Sequence, residues 1–304
     1  MKIVVLGSAA GGGYPQWNCN CDTCRRAWSG DPAAKPRTQS SLAISADGES
    51  WFLLNASPDL RKQILETPLL HPKSGRRHSP IIGAVLTNGD VDHVCGLINL
   101  RESQPLTLYA TSRIHDVLAA NSVFQVLNAD LVKRRTLALN TIVELEGPDG
   151  PSGITVEMFA VPGKVALYLE GAAPVLDGET EDTVGLRISG NGKSFFYIPG
   201  CARLTPALAD RVRGAELLLF DGTLWRDDEM IVQGVGTKTG RRMGHMSVSG
   251  PEGSLAAFAD LGIRRKIFIH INNTNPILLD DSPERAFVKE AGWEVGEDGM
   301  EVSP

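Results

Sequence analysis

Short apolar runs of β type recur along the chain, most of them bounded by Gly, Pro, Asn or Asp. Lys2–Leu6, Ser41–Ser45, Trp51–Asn55, Ile81–Thr87, Leu106–Ala110 and Thr155–Val161 are predicted strands. Thr183–Ser189, Lys193–Ile198, Glu216–Asp221 and Lys266–Ile271 continue the series. Helical spacing marks Asp59–Glu66, Ser112–Ala120, Thr205–Val212 and Gly253–Asp260. Thr205-Pro206 and Ser249-Gly250-Pro251 suit the starts of the last two. Strands come first in antiparallel groups and then alternate with helices, an order that predicts two sheets packed together with helices outside. Glu146–Gly153 is turn-rich, roughly bisects the chain, and is expected to mark the boundary between structural halves. Gly171–Glu181 is expected to be a flexible insertion. Neither is long enough for an interdomain linker, so one domain over residues 1–304 is expected.

The first strand runs into Gly7-Ser8-Ala9-Ala10-Gly11-Gly12-Gly13. No Lys-Ser/Thr follows and Tyr14-Pro15-Gln16-Trp17 interrupts any helical pattern, which argues against a phosphate cradle. Close backbone approach to another loop or to a ligand is the better use of these glycines. Arg37-Thr38-Gln39-Ser40-Ser41 is either a carboxylate-binding loop, given the bidentate habit of arginine, or simply the start of a strand.

At 304 residues the chain can bury a large core, and a net charge of −6 argues against a nucleic-acid partner. Arg76-Arg77 and Arg264-Arg265-Lys266 are expected to be solvated. No apolar run approaches the ~18 residues of a membrane span, and the N-terminus lacks the pattern of a signal peptide. A cytoplasmic protein without membrane insertion is expected. The oligomeric state is left open, with a homo-oligomer allowed.

Five cysteines in a reducing compartment point to metal or thiol chemistry before disulfides. Three of them, Cys19, Cys21 and Cys24, fall within six residues among Asn, Asp and Thr. Such a cluster suits a tetrahedral soft ion, most simply a structural Zn2+ that ties the N-terminal loop to the rest of the domain. Asn273 is the candidate fourth ligand, with water or a histidine as alternatives.

A second candidate centre follows the Ile81–Leu86 run, in the polar turn Asn88-Gly89-Asp90-Val91-Asp92-His93. Of the six histidines, His71, His78 and His115 are expected to be solvated. His93, His245 and His270 each end a β-type run or sit in a polar turn. Asp92, His93 and His270 form a two-histidine, one-carboxylate set, suited to Fe2+ or another divalent metal with open positions, or to mononuclear zinc hydrolysis. Asp90 is either a fourth ligand or an acceptor that orients a histidine. Asp221 ends a buried run and His245 lies in Gly244-His245-Met246-Ser247. Paired, they would make His245 a general acid or base.

Together, the Cys-x-Cys-x-x-Cys start, Asp90-Val91-Asp92-His93, Phe220-Asp221-Gly222-Thr223, Gly244-His245-Met246-Ser247 and His270-Ile271-Asn272-Asn273-Thr274-Asn275-Pro276 resemble the metallo-β-lactamase superfamily. The likeness lies close to the tRNA-processing and phosphodiesterase branches. The pattern as a whole resembles the branch that acts in biosynthesis of the redox cofactor pyrroloquinoline quinone (PQQ), and it spans nearly the whole chain. The resemblance implies an α/β fold, the αβ/βα four-layer sandwich, with metal at the sheet edge. It also implies departures from the hydrolase pattern. Asn88 and Asp90 stand where two histidines are usual, Lys164 where a third would be, and Cys201 where a bridging aspartate is usual. The branch's proposed activity is iron- and oxygen-dependent hydroxylation of the tyrosine ring in a Glu-Tyr-derived precursor. Alternatives are a carrier that holds PQQ or a precursor on its way to the periplasm, and a zinc hydrolase working with one metal. The implied partner is a small molecule or dipeptide in each case.

Overall fold

A computed structural model describes residues 1–171 and 175–304 and contains two seven-stranded sheets. The first half of the chain supplies β1 (Lys2–Gly7), β2 (Ser41–Ser45), β3 (Trp51–Leu54), β4 (Ile81–Val85), β5 (Leu106–Ala110) and β6 (Val132–Thr136). The second half supplies β7 (Ile142–Gly147), β8 (Gly150–Gly163), β9 (Gly178–Gly190), β10 (Lys193–Ile198), β11 (Leu217–Asp221), β12 (Arg265–Ile269) and β13 (Glu294–Val295). The C-terminal β14 (Glu301–Val302) returns to pair with β1. The sheet orders are β14-β1-β2-β3-β4-β5-β6 and β13-β12-β11-β10-β9-β8-β7. Each half begins antiparallel and turns parallel, at β3–β4 in one and at β10–β11 in the other.

Alternation along the strands explains the layers. Leu217 and Leu219 face the other sheet, as do Ile267 and Ile269. There they meet Val5, Ile44, Phe52 and Val85 of the first sheet in one shared core. Leu218, Phe220 and Phe268 point outward into a second cluster beneath the helices Pro206–Val212 and Pro283–Glu290. There Phe268 stacks on Trp293 at 4.0 Å between ring centroids. A third cluster lies under the helices Leu60–Glu66 and Ser112–Ala120, on the outer face of the first sheet. Strands buried on both faces read as continuous apolar runs, which is why β11 and β12 stand out in the sequence.

Several expectations are corrected. The Glu146–Gly153 stretch is no boundary: it is the β7–β8 hairpin, with Gly147 opposite Gly150. The passage between sheets falls earlier, between β6 and β7. Both of those strands escape a hydrophobicity-based reading because they are edges. Val132-Lys133-Arg134-Arg135-Thr136 buries only its first residue, and charge on an edge strand discourages further pairing. In the expected insertion, Gly178–Glu181 belongs to β9, and Ala172, Ala173 and Pro174 lie outside the described residues. The helix expected at Gly253–Asp260 spans only Ser254–Ala257. Arg37 is buried beside Glu297 at 3.2 Å and donates through Nη1 to the carbonyls of Lys35 and Pro36, so it serves the fold. His115 is buried, with Nε2 3.0 Å from the Arg135 carbonyl.

Candidate metal centre

The parallel strands β4, β11 and β12 end at the same edge, and chains leaving the carboxyl ends of parallel strands are where α/β folds place ligands. After β4 the chain turns through Asn88 and Asp90 into the short helix Val91–Val94, which carries Asp92 and His93. β11 ends in Asp221, on the inner face with Leu217 and Leu219. His270 follows β12 in the left-handed region, with φ of +55°. Only a few per cent of non-glycine residues adopt such a conformation. It also breaks the alternation of β12, for Ile271 joins the outer cluster although Ile269 faces inward.

The glycine-rich loop closes the floor of this edge. Ala9 bridges both Gln39 and Ile271, so the loop is stitched to the segment that follows His270. A Cβ on Gly7 would fall 2.2 Å from the Gln39 carbonyl oxygen, and one on Gly11 would touch the Asp92 carboxyl at 3.5 Å. Close backbone approach therefore requires glycine at Gly7, while Gly12 and Gly13 adopt the left-handed region.

Hydrogen-bond accounting fixes the tautomers of the histidines. The Asp90 N–H donates to Asn88 Oδ1 at 3.0 Å, which sets the amide's orientation. The same oxygen lies 2.7 Å from His93 Nδ1, so that nitrogen must carry the proton and donate. His93 Nε2 is then a bare lone pair, buried and without a partner. It lies 3.9 Å from Asp92 Oδ2, which is also 3.0 Å from His270 Nε2. Burial lowers the pKa of His93 to about 4, so it is neutral. Burial opposes ionisation of Asp92, but the adjacent His93 and His270 hold its carboxyl well below the usual range. Burial likewise disfavours charge on His270, and the bond to Asp92 overrides it and raises its pKa. An anionic oxygen and two imidazole nitrogens thus converge within 4.8 Å, and a cation is what such a set of donors accommodates.

A second convergence, of Asp221, His245 and His270, has a different character. Asp221 is fully buried and its carboxylate is saturated. Oδ1 accepts from the Thr223 N–H (3.0 Å) and hydroxyl (2.6 Å), and Oδ2 accepts from the Cys201 N–H (3.0 Å) and His245 Nδ1 (2.6 Å). With four donors on two oxygens it has no lone pair left for a metal. Burial works against its charge, and His245 more than offsets that, so it stays ionised. The sequence-predicted pair Asp221–His245 is therefore in contact. Its imidazole borders an open cleft of about 850 Å3, together with Arg203, Arg226 and Arg241.

The remaining predicted residues fall as follows. Asp90 stands apart from the convergent donors: it begins the helical turn, and its Oδ1 accepts from the Leu167 N–H at 3.4 Å. Burial and the neighbouring Asp92 raise its pKa. Lys164 is 2.9 Å from Glu170, which also pairs with Arg242 at 2.7 Å. Cys201 is fully buried and donates its thiol to the Arg203 carbonyl at 3.1 Å, and burial pushes its pKa up. Sequence reasoning counted Asn88 only as a lost ligand, whereas the structure gives it the task of orienting His93. It also passed over Thr223. The Asn88-x-Asp90 side-chain turn is a readable signal for the first; for the second there is none in the sequence.

Some distance along the same edge, Cys19, Cys21 and Cys24 converge, with Cys24 in the helix Asp22–Trp28. The Asn273 side-chain amide caps them, its terminal atom 3.1, 3.7 and 3.2 Å from the three sulfurs. Amide oxygen and nitrogen exchange places by a simple flip, so the oxygen can face an ion held by the thiolates. A hydrogen bond from Cys24 draws the pKa of the Cys21 thiol down, against its burial. The set fits a tetrahedral thiolate site.

This geometry agrees with what the chain is similar to. A family model for the beta-lactamase superfamily domain matches residues 50–271. Coenzyme PQQ synthesis protein B of Methylorubrum populi is 57% identical over 300 residues, covering 99% of each chain. The chain belongs to the coenzyme PQQ synthesis protein B family. The family member from Gluconacetobacter diazotrophicus is 56% identical over 305 residues, covering 100% of this chain and 99% of that one. The 1.98 Å crystal structure of Zn2+-bound PqqB from Methylobacterium extorquens matches with a TM-score of 0.96 at 56% identity, over 100% of both chains. A diphosphatase of the PhnP family matches with a TM-score of 0.70 at 22% identity, covering 99% of this chain and 96% of that one, and shares the fold. The expected α/β sandwich of the metallo-β-lactamase superfamily is thus borne out. Among the described residues, no helix is long and apolar enough to cross a membrane.

Proposed function

We propose that this chain is a mononuclear metal-dependent oxygenase of PQQ biosynthesis that hydroxylates the tyrosine ring of a small Glu-Tyr-derived precursor. The observation that carries this reading is the pairing of one intact donor set with one dismantled set. Asp92, His93 and His270 bring one donor atom each to a common point, where a metal would replace the hydrogen bond between His270 Nε2 and Asp92. Neither Asp90 nor Cys201 adds a donor atom to that point. Asn88 orients His93, Asp90 turns toward Leu167, Lys164 is engaged by Glu170, and Cys201 is a buried thiol already bonded to a carbonyl. Two imidazoles and one carboxylate are the donor set of non-haem Fe2+ oxygenases, and such a metal, when bound, supplies oxygen activation beside the substrate.

The protein's own residues do the rest. Asn88 holds His93 in the tautomer that frees Nε2. The buried, ionised Asp221 keeps the proton of His245 on Nδ1, which leaves Nε2 basic. At the mouth of the cleft, that nitrogen is available to accept and return a phenolic proton. The cysteine cluster is assigned a structural Zn2+, and Fe2+ is assigned to the Asp92, His93 and His270 centre.

The test is anaerobic loading with Fe2+, addition of a Glu-Tyr dipeptide with ascorbate as reductant, and then exposure to oxygen, with products read by mass spectrometry. One oxygen atom enters the ring and the other leaves as water, at the expense of the two electrons that ascorbate supplies. A product carrying added oxygen is expected, with turnover reduced on the order of 100-fold or more in His93→Ala. Cleavage that proceeds without oxygen would instead mark a hydrolase. Tight binding of the quinone without turnover would mark a carrier.

A further inference from the structure

Thr223 is buried at the junction of Asp221, His245 and His270, and its hydroxyl has more neighbours than it can serve. Oγ1 lies 2.6 Å from Asp221 Oδ1, 2.9 Å from His270 Nδ1, 2.9 Å from the His270 carbonyl oxygen and 3.2 Å from His245 Nδ1. A hydroxyl has one hydrogen to give and two lone pairs to receive with. Asp221 Oδ1 and the His270 carbonyl both compete for that hydrogen. The carboxylate is nearer and charged, and charge-assisted bonds are roughly twice as strong as neutral ones, so it takes the hydrogen. The Nδ1 proton of His245 is already committed to Asp221 Oδ2 at 2.6 Å. What remains for the threonine oxygen is to accept, and the donor in reach is His270 Nδ1–H.

We infer that Thr223 is a positioning residue that carries the negative charge of Asp221 to His270, fixing His270 as the Nδ1–H tautomer with its Nε2 lone pair aimed at the metal position. This rests on the metal-centre reading above. A histidine ligand is ordinarily oriented by a carboxylate or a carbonyl on its distal nitrogen. Here the carboxylate is shared: it binds His245 directly and reaches His270 through one hydroxyl. A single buried charge thus sets the tautomers of both imidazoles, which stack at 5.2 Å between centroids. The arrangement also accounts for the left-handed backbone at His270. That turn brings both Nδ1 and the carbonyl of one residue to within 2.9 Å of the same oxygen.

The experiment measures Mn2+ binding by EPR on protein that retains zinc in its cysteine cluster, because Mn2+ prefers carboxylate and imidazole to thiolate. Thr223→Val, close in shape but without the hydroxyl, should weaken Mn2+ binding by about 10- to 100-fold, the usual effect of removing such a partner. Thr223→Ser should restore binding to within a few-fold of the parent. Equal Mn2+ affinity in the parent and Thr223→Val overturns the inference, and so does a serine variant as weak as the valine one, since packing alone would then explain the loss. No specific Mn2+ binding by the parent overturns the metal-centre reading itself. A measurement on the unsubstituted, Zn2+-loaded protein stands beside these. Long-range 1H–15N correlation of histidine-labelled protein should show His270 protonated at Nδ1, and protonation at Nε2 would refute the assignment even if the valine variant failed to fold.

Discussion

The two donor clusters of this protein are built in opposite ways. The cysteine cluster draws three of its four members from six consecutive residues and takes only Asn273 from afar, 254 positions from Cys19. The carboxylate–imidazole centre joins Asp92 and His93 to His270, 178 positions from Asp92, and is supported by Asn88 from one turn and by Asp221 and Thr223 from another. The first is a clasp: sulfur donors on one loop seize a residue from the far end of the chain, and an amide closes the remaining side. The second is a socket whose donors are held by hydrogen bonds whether or not a metal is bound. A clasp gains stability from its ion, whereas a socket spends stability to present unpaired lone pairs, such as His93 Nε2. Metal should therefore be a folding ligand at one site and a functional ligand at the other.

The sharpest way to break this contrast is to remove one sulfur. Cys24 is fully buried, and Cys24→Ala should lose the zinc of the cluster. Stability should fall by about 4 kcal/mol, the contribution of a ligand present at roughly a thousand times its Kd. Zinc content and urea unfolding check this together. His93→Ala, by contrast, should leave the unfolding free energy within about 1 kcal/mol of the parent while abolishing metal binding at the other centre, because it deletes a buried unsatisfied atom along with the ligand. Equal losses of stability in the two variants would erase the distinction between clasp and socket.

The same contrast explains what the sequence disclosed. Cys19, Cys21 and Cys24 were legible because the chemistry is local, and β11 and β12 because strands buried on both faces must be apolar throughout. Asp92, His93 and His270 were legible by residue type. Their lone pairs were not, because tautomers depend on acceptors that approach from other turns, as Asn88 and Thr223 do. The edge strands Val132–Thr136 and Ile142–Gly147 were missed because exposure removes the alternation that betrays a strand. The saturation of Asp221 was likewise invisible: two of its four donors are backbone N–H groups, which every sequence possesses.

The clasp and the socket share the short segment from His270 to Asn275, and a buried carboxyl anchors its far end. Glu229 accepts from Thr274 at 2.5 Å and from the Trp225 N–H at 2.7 Å, and burial pushes its pKa up to about 7. A carboxyl raised in the folded state keeps its proton at pH values where the unfolded chain has lost it. The folded state then binds more protons, and stability falls as pH rises. Between about pH 5 and about pH 7 the parent should lose about 2 kcal/mol from this group. Glu229→Gln should remove that slope and be the more stable form at pH 8. Parallel pH profiles for the two proteins would mean that the anchor does not titrate, and the segment would then be equally firm at both ends.

The smallest expected effect bears most directly on how the socket differs from its hydrolase relatives. If Asn88 were simply a ligand lost, its replacement would matter little and restoring histidine would help. If instead it orients His93, Asn88→Ala should weaken Mn2+ binding about 10-fold, because the imidazole then loses the acceptor that fixes its proton. Asn88→Asp, which keeps an oxygen beside His93 Nδ1, should stay within a few-fold of the parent. Asn88→His should bind no second metal, since Lys164 remains paired with Glu170 and the Cys201 thiol remains buried against the Arg203 carbonyl. Its affinity at the surviving centre should fall as in the alanine variant. A second equivalent of metal bound by Asn88→His at this edge would show that the dismantled site needs only one residue to be rebuilt. Asn88 would then be a gap in a binuclear centre, and the tautomer it imposes on His93 would be incidental.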